Sequence, residues 1–196
     1  MIKQFSGYEE AKKVAQSTGR AKLPEGAYVC KVIGVKLENT YIKVQFDVCE
    51  GEYTDFFQKK YRESKDEDKK YKGIATLWLP KDDGSENDAR TKNKFARWTN
   101  ALEESNPGYR WDWDETKWKG KYIGILYGEV GKNIDGKSVR FNTYRDAISI
   151  DKVRSGEAKA PKFYAYPGYE EKPTTANTST DFMSIPDGID EELPFN

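Results

Sequence analysis

Residues 41–72 read YIKVQFDVCEGEYTDFFQKKYRESKDEDKKYK, and two kinds of sequence meet in them. Ile42, Val44, Phe46 and Val48 alternate with Tyr41, Lys43, Gln45 and Asp47, a period of two that places four apolar side chains on one face of a strand. That face requires a core. Past residues 53–57, which read as a further short strand, residues 58–73 hold seven Lys or Arg against four Asp or Glu, with Tyr61 and Tyr71 among them. They read as a long charged loop whose cations and rings suit an anion carrying flat rings.

Working outward, residues 27–38 form a second apolar run with Val29, Ile33, Val35 and Leu37 in one phase. Lys31 and Gly34 interrupt it, which predicts a bent or bulged strand. Glu38-Asn39-Thr40 turns that strand into the one beginning at Tyr41. Residues 74–79 are a third strand, with Leu77 and Leu79 on one side and Thr76 and Trp78 on the other. From residue 87 to 105 the period changes, because Phe95, Trp98 and Leu102 fall on one helical stripe. Asp88 is the expected N-cap, and Asn106-Pro107-Gly108 the stop. Residues 121–130 and 137–146 are two strands joined through Asp135-Gly136, a strong hairpin signal, and residues 148–153 add a short last strand. The order is mainly β, with one helix between strands three and four and a second, shorter one near the N-terminus. It predicts an OB-fold-like five-stranded Greek-key barrel spanning residues 23–156. An open antiparallel sheet capped by one helix satisfies the same pattern.

The flanks differ from the body. Ser6 and Glu9 form a capping box for a short helix over residues 8–16, so residues 1–22 read as an N-terminal helical flap. Beyond Gly156 the chain turns to Pro, Thr, Ser, Asn and Glu, so residues 157–196 read as a flexible linker and disordered acidic tail. The whole chain balances 33 Lys and Arg against 33 Asp and Glu. Residues 163–196 take seven of those acids and one Lys, which leaves residues 1–162 with 32 cations and 26 carboxylates. A basic body and an acidic tail say more about partners than the zero total does.

Composition narrows the chemistry. There is no His, and Cys30 and Cys49 sit inside strand-like runs, so usual zinc sites are excluded and two buried free thiols are expected. No apolar run approaches the ~18 residues of a membrane span, and the N-terminus lacks a signal-peptide core, which predicts a cytoplasmic protein. No cofactor motif is present, and none is expected.

The tip Asp190-Glu191-Glu192-Leu193-Pro194-Phe195 resembles the acidic tail tip with which bacterial single-stranded DNA-binding proteins dock replication and repair partners; here Asn196 follows the Phe. The body resembles a family of small proteins of phages and prophages of Gram-positive bacteria. The likeness runs through LPEGAY (23–28), FDVCEGEY (46–53), PKDDGSE (80–86) and ESNPGYRWDWD (104–114). It implies a single-stranded DNA-binding protein of phage replication or recombination, with the tail recruiting partner proteins.

The residues support that expectation independently. Bases stack on aromatic rings and phosphates require Lys or Arg, so a sequence-tolerant binder needs both on one surface. Tyr41, Lys43 and Trp78 lie on the outward phase of strands two and three. Lys59, Lys60, Tyr61, Arg62, Lys69, Lys70, Tyr71 and Lys72 supply a mobile wall beside them, and Arg140 and Tyr144 on the last strand are secondary candidates. Trp98 and Phe95 belong to the core by their helical stripe. Trp111, Trp113 and Trp118 stand among carboxylates that repel phosphate, so they are expected to pack. Two other classes compete: a metal-dependent nuclease drawing on Asp82, Asp83, Asp112, Asp114 and Glu115, and a carbohydrate-binding or protein-interaction β module using the same rings. No nucleophile or phosphate-loop motif supports an enzyme.

Overall fold

A computed structural model describes residues 22–171. The capping-box helix and the acidic tip lie outside the described residues.

The alternation at residue 41 builds what it predicts. β2 (Tyr41–Val48) buries Ile42, Val44, Phe46 and Val48. It pairs antiparallel with β1 (Gly26–Leu37), whose register slips between Val32 and Gly34, so the expected bend is a bulge at Ile33. On its other side β2 pairs antiparallel with β3 (Ile74–Trp78). β4 (Tyr122–Ile134) pairs with β1 and with β5 (Lys137–Ile148), again antiparallel. Their hairpin turns at Asp135 and Gly136 with φ of 51° and 78°, the positive pair that a tight turn between right-twisted strands needs.

The sheet order is β3-β2-β1-β4-β5, and a sixth strand, β6 (Tyr164–Ala165), pairs parallel with β4. The fold is therefore mainly β, and its order is compatible with a barrel. The long helix α2 (Glu86–Ser105) packs against β3, β4 and β5 and reaches both edge strands of the five. Its Trp98 and Leu102 are fully buried, as the helical stripe requires. No helix among the described residues is long and apolar enough to cross a membrane.

Four expectations are corrected. The N-cap of α2 is Ser85, whose Oγ accepts from Asp88 N at 3.1 Å. Asp88 instead sits buried one turn in, where it accepts from Asp82 N and pairs with Lys92. Residues 53–57 are not a strand: they lead into a helix, α1 (Phe56–Glu63), so Lys59, Lys60, Tyr61 and Arg62 ride on a helix and not on a loop. Residues 148–153 end β5 and enter a short helix, α3 (Ile150–Arg154). Residues 157–171, expected to begin the flexible linker, lie against β4 and contribute β6.

Both cysteines are free. Burial pushes the Cys30 thiol well above its usual range and that of Cys49 up to about 11, so both stay protonated at neutral pH.

Candidate nucleic-acid interface

α1 stands where it does because of one carboxylate on the preceding strand. Asp47 is buried, and its Oδ1 accepts from Val48 N at 2.9 Å and Phe57 N at 3.0 Å, while Oδ2 accepts from Gln58 N at 2.8 Å. The residue at the N-cap position itself, Asp55, is left-handed (φ 60°) and caps nothing with its side chain. Asp47 therefore satisfies the helix's free N–H groups from β2 and complements its dipole. Phe57 completes the attachment, packing edge-on to Phe46 at 5.6 Å. Sequence reading placed Asp47 on the polar side of a strand; its partners ten and eleven residues away gave no local signal.

Asp47→Asn is expected to destabilise the protein by about 2 kcal/mol, because one oxygen becomes an NH₂ group facing an N–H donor. Urea unfolding followed by circular dichroism measures it, and an unchanged midpoint would refute the capping role.

Between α1 and residues 64–72 lies a groove of about 640 Å³. Of the expected residues, Lys59, Lys60, Tyr61, Lys69, Lys70 and Lys72 line it, joined by Tyr53, Phe56 and Lys65. The rings and cations interleave: Lys69 Nζ lies 4.9 Å from the centre of the Tyr61 ring, and Lys60 Nζ 5.9 Å from that of Phe56. Tyr71 is not part of a mobile wall. Its hydroxyl donates to Phe46 O at 3.0 Å and its ring lies between Phe57 and Tyr61, and burial raises its pKa. It is a floor for Tyr61.

Some cations of the surface are tied to carboxylates and others are not. Away from the groove, Arg90 meets Glu86, Lys92 meets Asp82 and Asp88, Arg97 meets Asp146, and Arg154 meets Glu50. Around the groove, Lys59, Arg62, Lys65, Lys69 and Lys72 form no ion pair with a carboxylate among the described residues. Lys59 donates to Thr54 O and Arg62 to Gln58 Oε1 instead. The groove thus sets cations without ion pairs beside the exposed Tyr61 ring, and its lining also carries Glu52, Glu63, Asp66 and Asp68.

The remaining expected residues are not brought to the groove. Tyr41 and Trp78 face each other across β2 and β3, edge to face at 5.2 Å, with Lys43 on the same side opposite Thr76. They sit at the far end of β2, ~20 Å along the strand from Asp47. Trp78 also borders a small cleft of about 130 Å³ with Arg90, Thr91 and Lys94 of α2. Arg140 is occupied, held by Glu129 at 2.6 Å and Glu171 at 3.6 Å and lying 4.4 Å from the Phe163 ring.

Tyr144 does not face outward but is buried, 5.6 Å from Trp98 with Lys94 Nζ over its ring. A second bulge follows it. Leu126 pairs with Asp146 and Tyr127 with Tyr144, so Arg145 is the extra residue, and Tyr144 and Ala147 both reach the core. The Tyr144 hydroxyl finds no hydrogen-bond partner among the described residues, and burial raises its pKa well above the phenol range. Tyr144→Phe is therefore expected to leave stability unchanged or raise it by up to about 1 kcal/mol. A thermal or urea midpoint that falls would show that the hydroxyl is bonded after all.

The tryptophan loop packs in part. Trp118 is fully buried, Trp111 is half-buried against it at 5.1 Å, and Trp113 lies tilted against Trp111 at 5.8 Å while 82% exposed. The nearby carboxylates have local tasks: Asp112 and Asp114 pair with Lys117, and Asp83 accepts from Ser85 N. No three His, Cys, Asp or Glu among the described residues are grouped to hold a metal ion. The docking residues Asp190, Glu191, Glu192, Leu193, Pro194 and Phe195 lie outside the described residues.

Scanned against protein-family models, the chain matches none, and no curated protein matches it.

Proposed function

We propose that the protein binds single-stranded DNA with little sequence preference, as part of phage replication or recombination, on an OB-type Greek-key barrel. The observation that carries this reading is the groove between α1 and residues 64–72, where Lys59, Lys65, Lys69 and Lys72, which have no carboxylate partner among the described residues, share the lining with Tyr53, Phe56 and Tyr61. Lysines without carboxylate partners are the groups that release counterions when they meet phosphate, and flat rings accept any base. A second stacking pair, Tyr41 and Trp78 with Lys43 beside it, offers a further contact at the other end of β2. The acidic tip recruits partner proteins, its charge opposite to that of the body.

Fluorescence anisotropy of labelled oligo-dT of about 20 nucleotides, set against a duplex of equal length at two salt concentrations, tests the reading. The expected result is a clear preference for the single strand and an affinity that falls with salt. Absent binding, or equal binding to the duplex, refutes it.

A further inference from the structure

The registers of the sheet fix which side chains share its outward face. Tyr41 stands opposite Trp78, and Lys43 stands between Lys36 of β1 and Thr76 of β3. Gln45, the next outward residue of β2, pairs with Gly34, and a Cβ on that glycine would lie 2.7 Å from Gln45 Oε1, so both turn to the same side. The bulge at Ile33 shifts the phase of β1 by one residue. Lys31 therefore comes out on this side too, paired with Asp47 of β2 and with Tyr122 of β4. Residues of the opposite phase, Val32, Val44 and Ile123, are buried in the core. One face thus carries Tyr41 and Trp78 at one end and Lys31 with Tyr122 at the other, ~20 Å apart along β2. The next outward pair, Val29 and Gly124, is buried, and a Cβ at Gly124 would lie 2.8 Å from Val153 of α3, which closes the face there.

The Tyr122 end has the makings of a contact. Its ring is 41% exposed, and one side chain at the end of α2 clamps its backbone from both sides. Asn106 Nδ2 donates to Tyr122 O at 2.8 Å, and Tyr122 N donates to Asn106 Oδ1 at 2.9 Å. Lys31 Nζ lies 5.6 Å from the centre of the ring and forms no ion pair with a carboxylate among the described residues. Lys43 forms none there either, whereas Lys36 on the same face is held by Glu38 at 2.6 Å. A fixed, exposed ring beside a cation without a carboxylate is the pairing that a base and its phosphate require.

We infer that Tyr122 is a base platform for single-stranded DNA and Lys31 its phosphate contact, on the same face of the sheet as Tyr41 and Trp78. The inference rests on the single-strand reading above and deepens it, because it carries the contact made by Tyr41 and Trp78 across β2 and β1 to β4. Lys43 and the exposed Gln45 lie between the two ends.

The test is anisotropy with labelled oligo-dT of about 20 nucleotides on the full chain. A variant carrying Tyr122→Leu and Lys31→Ala is expected to bind about tenfold more weakly, while Tyr122→Phe, which keeps the ring, stays within about threefold of the parent. Lys31→Ala alone is expected to reduce the slope of log K against log salt by about 0.7, and Lys36→Ala, whose cation Glu38 already holds, to leave the slope unchanged. Parent-like affinity of the double variant, or an equal loss in Tyr122→Phe, overturns the inference. Photocross-linking of the parent to an oligonucleotide carrying iodouracil, mapped by mass spectrometry, locates the contact without any substitution. An adduct at Tyr122 is expected, and adducts confined to other residues overturn the inference. Failure of the parent to bind the oligonucleotide at all refutes the single-strand reading itself and is distinct from these outcomes.

Discussion

Replacing Lys69 and Lys72 by Ala is expected to lower the affinity for oligo-dT about 25-fold near 0.1 M salt and to reduce the slope of log K against log salt by about 1.4, since each phosphate contact on a single strand contributes about 0.7. These two lysines line the groove and lack carboxylate partners among the described residues. The informative control removes the same charge where it is already paired. Arg90 is held by Glu86 and Lys117 by Asp112 and Asp114, so Arg90→Ala with Lys117→Ala changes the net charge identically. That control is expected to shift affinity by less than about threefold, because pairs of this kind have little field left to offer phosphate. An equal loss in both variants would show that binding follows net charge alone and would remove the groove from the account.

Replacing Trp118 by Ala carries the largest expected cost to stability, about 3–5 kcal/mol by the usual range for truncating a buried aromatic. The ring is fully buried and touches Phe95 at 6.1 Å, Trp98 at 6.0 Å and Trp111 at 5.1 Å. It ties α2 to the loop that follows it, and Trp111 and Trp113 rest on it in turn. Urea unfolding monitored by far-ultraviolet circular dichroism gives the value. Trp118→Phe keeps most of the contact and is expected to cost clearly less; a loss below about 1 kcal/mol for the Ala variant would mean that the loop is not fastened through this ring.

Elements whose neighbours are close in sequence were legible before any coordinates. The period of two in β2, the interruption at Lys31 and Gly34 that became the β1 bulge, the α2 stripe and the Asp135-Gly136 turn all announce themselves within a dozen residues. α1 did not. Tyr53 just before it and its own Phe56 and Phe57 follow a helical spacing but are few, and the cap that starts it comes from Asp47 on another element. Tyr144 was misplaced because it shares one phase with Arg140 and Asn142, and their polar side chains marked as outward a face whose end packs on Trp98 of α2. The groove lysines were legible as a basic run; that Tyr71 would serve as their floor depended on a bond to Phe46 O, 25 residues away.

β4 is longer than the part of it that β1 covers, since their pairing ends at Tyr127 opposite Gly26 while β4 runs on to Ile134. Left alone, the remainder would offer a row of unsatisfied N–H and C=O groups to any passing strand, the usual starting point for chain-to-chain aggregation. β6 takes up that row at Val130 and Gly131, running the opposite way to β1. The segment after residue 157 is thus also a guard for the sheet's margin, and the chain cannot be trimmed to its five main strands without baring a sticky edge.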